Sequence, residues 1–77
     1  MSTHWNYRVI EFSNVDSDPF RQIHEVHYDA NGKPEAYSES PAAIMWDVSE
    51  ENLALEILEK MKEALNKPVL LITDFYT

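Results

Sequence analysis

The 77 residues predict a small α+β domain, a mostly antiparallel sheet in the order β-β-β-α-β with one helix packed on one face. Three observations lead there. The first forty residues hold segments rich in aromatic and β-branched side chains, separated by clusters of turn formers. A single apolar stripe at helical spacing follows, over 53–65. A short apolar run then follows Pro68. No repeat, low-complexity tract or linker interrupts the chain, so 1–77 reads as a single domain.

The first strand is predicted over Trp5 to Phe12. Alternation sends Trp5, Tyr7 and Val9 to one face and Ile10 and Phe12 to the other. Ser13 to Pro19, made of turn-initiating residues, ends it. The second strand runs from about Arg21 to Tyr28. Asp29-Ala30-Asn31-Gly32-Lys33 holds the chain's only glycine, placed to close a hairpin through a type I turn and a bulge. Glu35 to Ser40 then pairs back on the second strand, and Pro41 ends it.

The helix is predicted to start near Ser49 as N-cap, with Glu50 and Glu51 in its first turn. Leu53, Ala54, Ile57, Leu58, Met61, Ala64 and Leu65 form its stripe. Asn66 is the expected left-handed end residue, and Pro68 stops the helix. Leu55 falls outside the stripe: it is a lone exposed apolar residue or it touches a partner. Val69 to Thr73 suits a strand buried on both faces. Set parallel beside the first strand, it gives the sheet order 3-2-1-4.

Six Lys and Arg against fourteen Asp and Glu leave a net charge of -8, and there is no Cys. The absence of Cys excludes disulfides, thiolate metal sites and a Cys nucleophile. Six dispersed basic residues make no positive stripe for nucleic acid. The polar face of the helix is acidic, which anionic headgroups would repel. No apolar run approaches the roughly 18 residues of a membrane span, and no signal peptide is readable, so a cytoplasmic location is expected. A domain this small without staples typically retains only about 3–5 kcal/mol of net stability. Homo-oligomerisation is therefore a reasonable expectation, weakly opposed by self-repulsion.

Trp5-Asn6-Tyr7-Arg8, Ile23-His24-Glu25-Val26-His27-Tyr28-Asp29, Gly32-Lys33-Pro34, Tyr37-Ser38-Glu39-Ser40-Pro41 and Ala64-Leu65-Asn66-Lys67-Pro68-Val69-Leu70 carry a resemblance. Together they resemble a family of small uncharacterised bacterial proteins, over most of the chain. The His-Glu-Val segment with its Gly-Lys-Pro turn is the most specific part, although His27 stands where the pattern has Tyr. The resemblance implies a compact bacterial domain and carries over no activity, cofactor or functional residue.

Several kinds of chemistry have candidate residues in the chain. His24 and His27 lie three apart on a predicted strand, so they leave opposite faces and form no helical zinc signature. Glu25, His27 and Asp29 share a face and could hold a zinc or nickel ion, or pair a base with an orienting carboxylate. A solvated polar face is the simpler reading of that trio. Asn14, Asp16 and Asp18, with Glu25, have the spacing of a calcium loop, but Pro19 occupies the slot where such a loop needs Gly. No serine sits on a strained elbow and no glycine-rich loop cradles phosphate, so no catalytic residue and no cofactor is assigned. Glu50, Glu51, Glu56, Glu59 and Glu63 would suit an acidic inhibitor or DNA mimic; a solvated helix face accounts for them as well.

The leading expectation is a non-enzymatic protein-interaction module. One helix covers one face of a sheet, and aromatic residues remain for the other. With Ile10, Phe12, Val26 and Tyr28 under the helix, Trp5, Tyr7, Val9, Ile23 and Tyr37 form the open face and would bind a protein partner or a second copy. The faces can also be reversed. The alternative to a partner is that Trp46 and the segment from Ala42 to Val48 fold over that face.

Overall fold

A long two-stranded ribbon organises the computed structural model, which describes residues 4–14 and 17–75. β1 (Trp5–Asn14) and β2 (Ser17–Tyr28) pair antiparallel from Trp5 opposite His27 to Asn14 opposite Ser17. The ribbon is longer than the sequence pattern suggests, because Asn14 and Ser17 still pair, after an irregularity between Phe12 and Asn14, where a loop is expected. Pro19 is tolerated because β3 pairs only with the far end of β2, around Val26 to Tyr28, so the outer edge of β2 at Pro19 carries no ladder partner. Of the calcium-type triad, Asp16 lies outside the described residues.

β3 (Pro34–Tyr37) joins β2 through the predicted turn. Gly32 N–H donates to the Asp29 carbonyl at 3.0 Å and Asp29 N–H to the Lys33 carbonyl at 2.9 Å, with Gly32 at φ 81°. This is the type I turn plus bulge, and the register slips between His27 and Tyr28 as it must. A Cβ at Gly32 would meet nothing within 4 Å, so a substitution there strains the backbone alone. Gly32→Val should cost about 1–2 kcal/mol while Gly32→Asn, which tolerates the left-handed region, stays close to the parent in a urea melt.

The Asp29 carboxylate finishes the turn by accepting the N–H groups of Asn31 at 2.8 Å and Lys33 at 3.0 Å. Those two bonds hold its carboxyl below the usual carboxylate range. A depressed folded-state value means stability that is present above the unfolded value and lost as pH falls through the folded one. Asp29→Ala should therefore melt below the parent at neutral pH, and the gap should close on acidification through the carboxylate range.

α1 (Leu53–Ala64) begins four residues after Ser49. The Asp47 carboxylate explains the delay: it accepts both the N–H and the hydroxyl of Ser49, at 2.9 and 2.7 Å, and so takes the cap that Ser49 was expected to supply. Those bonds also lower the Asp47 carboxyl. Two successive turns, Glu50 N–H to Asp47 and Leu53 N–H to Glu50, then lead into the helix at Asn52. Glu50 and Glu51 thus precede α1 rather than lie on it. At the other end no non-glycine residue among those described has positive φ, so Asn66 is not left-handed. Tight bonds from Leu65, Asn66 and Lys67 back three residues close the helix instead.

After Pro68 the chain forms β4 (Leu70–Leu71), parallel to β1 with Leu70 beside Ile10. The sheet order is 3-2-1-4, as expected. The expected buried strand through Thr73 stops after two residues and Leu71 is exposed. Asp74 accepts the Leu71 N–H at 2.7 Å and folds Ile72–Phe75 into a 3₁₀ turn.

The two faces of the sheet are closed by different parts of the chain. Ile10, Val26 and Tyr28 are buried on one, packed with Phe12, Tyr37, Leu70 and, from the C-terminal turn, Ile72 and Phe75. Val9 is buried on the other, where Met61 and Ala64 are the buried residues of α1. The helix therefore takes the Trp5-Tyr7-Val9 face. Arg8 straps the crossover: it donates to the Pro68 carbonyl at 2.6 Å and to the Tyr28 hydroxyl at 3.1 Å, which in turn donates to Asn6 Oδ1 at 2.7 Å.

Candidate interaction surface

The five residues expected to share an open face are split. Val9 pairs with Ile23, Tyr7 with Glu25 and Trp5 with His27, so Trp5, Tyr7, Val9 and Ile23 do line one face. Tyr37 pairs with Val26 and belongs to the opposite one. The cause is the alternation of β3 once its bulge register is fixed: a one-residue offset moves a side chain through the sheet. Tyr37 sits edge-on to Phe75 at 4.9 Å, Phe12 at 5.9 Å and His24 at 5.5 Å, inside the aromatic cluster under the C-terminal turn.

Nor is the remaining face open. α1 crosses it and leaves a groove on each side. One, of about 280 Å³, is lined by Trp5, Tyr7, Lys60, Glu63 and Lys67. The Trp5 ring stands edge-on to Tyr7 at 5.3 Å and is 40% exposed. Burial and the nearby Glu25 charge both raise the pKa of the Tyr7 hydroxyl. The second groove, of about 370 Å³, is more apolar, with Val9, Ile23, Leu65 and Val69 between Arg21, Gln22 and Lys67.

The metal-site alternative loses a ligand to the fold. Asp29 spends its carboxylate on the turn, away from Glu25 and His27, and among the described residues no three His, Asp or Glu side chains come together. An unexpected Ser-His contact does occur. His24, 2% exposed, places Nδ1 at 2.9 Å from the Ser38 carbonyl and 3.1 Å from its hydroxyl, with Nε2 3.0 Å from Gln22 Oε1. A carbonyl partner requires Nδ1 to donate, and the Ser38 hydroxyl donates to the Ser40 carbonyl at 2.7 Å. Neither group presents a base to the other, so the pair fastens β3 to β2 and makes no nucleophile. Alternation did mark His24, since it falls on the Ile10-Val26 face.

The unburied apolar surface lies elsewhere. Ile44, Met45, Trp46 and Val48 are exposed, the last at 91%, so the segment expected to roof the sheet is itself uncovered. It leaves the sheet beside the second groove, where Ala42 N–H donates to the Ile23 carbonyl at 2.8 Å. On α1, Leu55, Leu58 and Leu65 are 65%, 46% and 66% exposed, and Leu65 forms one wall of that groove. The helix is apolar round a wider arc than the sheet covers. Its acidic residues Glu56, Glu59 and Glu63 occupy a separate exposed face.

The size of the surface agrees. The chain exposes 5920 Å², where a folded monomer of 9.0 kDa exposes about 4,850 Å². Its radius of gyration is 13.8 Å against about 11.5 Å for a compact domain of this length. No helix among the described residues is long and apolar enough to cross a membrane. No family model, no curated protein and no solved structure matches the chain.

Proposed function

We propose that the protein is a non-enzymatic interaction module that binds a second copy of itself through the exposed apolar flank of α1 and the groove beside it. The carrying observation is the excess of exposed surface, about 1,000 Å² over the expectation for a monomer. A standard interface takes roughly 800 Å² from each partner, so the excess is large enough to hold one. Leu55, Leu58, Leu65, Trp46 and Val48 supply apolar anchors for it. The fold's few buried residues give the association a physical use, since binding that needs the folded state stabilises it by mass action. Such a cysteine-free module suits the cytoplasm.

Sedimentation velocity from low to high micromolar concentration tests the reading. A mass moving to the dimer supports it, and a monomer throughout overturns it. Leu58→Glu should shift the parent's dimer to monomer at the same concentrations with the far-UV circular dichroism unchanged. Because each copy carries a charge of -8, added salt should strengthen self-association by screening. Binding of an acidic inhibitor to a basic target would weaken with salt instead.

A further inference from the structure

We propose that the two copies meet through an antiparallel pairing of their α1 helices, Leu55 of one against Leu65 of the other. The inference rests on the self-association proposed above and specifies its geometry. Leu55, Leu58, Lys62 and Leu65 are spaced three, four and three apart, the a-d-a-d spacing of a helix-pairing seam. At 100° per residue they fall within an arc of about 80°, centred about 110° round the helix from the side that buries Met61 and Ala64. The seam is therefore lateral, on the same level as the sheet's cover and free of it.

The spacing is also its own mirror. Set antiparallel about a two-fold axis level with Lys60, Leu55 faces Leu65 of the second copy and Leu58 faces Lys62, each contact made twice, as an isologous interface requires. In this register Lys62 lies on the same rim as Glu59 of the other helix, offset along the axis by one residue's rise, about 1.5 Å. Lys62 thus lays its stem on Leu58 and its ammonium beside an opposite charge. A parallel pairing would set Lys62 against Lys62 in the seam, a like-charge contact that the antiparallel register avoids. Since Leu65 is both the end of the seam and a wall of the groove over Val9 and Ile23, the second helix comes to lie over that groove. It covers the part of the sheet face that one helix leaves bare, on the side where Ala42 bonds to Ile23.

The chain has no cysteine, so single cysteines report the register directly. Leu55→Cys and Leu65→Cys are oxidised separately and after mixing, at concentrations where sedimentation shows each variant associated. Disulfide-linked dimer in the mixture and not in either variant alone is the expected result, because facing positions bring the two Cβ atoms within bonding reach only in the unlike pair. Linkage of Leu55→Cys to itself would mean a parallel pair and overturn the register while self-association stands. No linkage anywhere, with the parent still a dimer, would place the interface on another surface and overturn it equally. A monomeric parent would overturn both proposals.

Discussion

Ile10→Ala is expected to cost about 3 kcal/mol and to leave the chain largely unfolded in dilute solution at 25 °C. Ile10 is fully buried, one of the largest side chains that are. It lies where three parts of the structure meet: β2 through the ladder to Gln22, β4 through its pairing with Leu70, and the C-terminal turn through the cluster of Val26, Tyr28, Ile72 and Phe75. None of those neighbours can collapse into the space, since two belong to the sheet and the turn is pinned by Asp74 to Leu71. The loss thus approaches the whole margin of a small domain without disulfides, about 3–5 kcal/mol. A guanidinium titration followed by Trp fluorescence would read the midpoint. A midpoint within a small fraction of the parent's would mean that the Ile10 face is not the principal core. Self-association adds a second expectation: the variant's melting temperature should rise with protein concentration more visibly than the parent's, because the dimer then supplies most of what holds it folded.

The sheet was legible in the sequence because its signals are local and reinforce each other. Alternation in β1, the Asn31-Gly32 turn and Pro68 after the helix give the strand order 3-2-1-4, including the parallel β1–β4 pair. Where the structure departs from the sequence pattern, the cause is a contact distant in the chain or competition between neighbours. Ser49 is a good cap by type, yet Asp47 takes its hydroxyl first. Val69 to Thr73 is apolar enough for a strand, yet Asp74 bends it after Leu71. Ser13 to Pro19 has loop composition, yet Asn14 still pairs with Ser17, since composition weighs little against the pull of a long antiparallel pair. Neither face carries a mark in the sequence that says which one the helix covers. Both are apolar, and the choice depends on the crossover held by Arg8 at Pro68. That choice displaced the interaction surface. Once α1 and the C-terminal turn close the two faces, the surplus apolar residues are those of the helix flank, where Leu55 already stood outside the stripe.

Tyr37→Ala separates the structural reading from the sequence reading more sharply than any other substitution. On an open binding face, with Trp5 and Tyr7, its loss would weaken association and spare the fold. In the structure Tyr37 is the joint of an aromatic cluster, touching Phe12, His24 and Phe75 at centroid distances of 5.9, 5.5 and 4.9 Å. It also packs on the buried Ile10-Val26 core. Truncating a half-buried aromatic in such a place should cost about 3 kcal/mol, with each lost edge-to-face contact adding to the area term. The damage should spread in a predictable direction. Phe75 loses the ring that holds the C-terminal turn against β3, and Ser38, one residue on, is the group to which His24 donates. Hydrogen exchange should therefore rise first at Ile72 to Phe75 and at Ser38, ahead of α1 on the other face. Trp5→Ala, by contrast, removes a 40% exposed ring and should change stability by under about 1 kcal/mol. Equal and small effects for both residues, with association lost in each, would return Tyr37 to the surface and undo the assignment of the two faces.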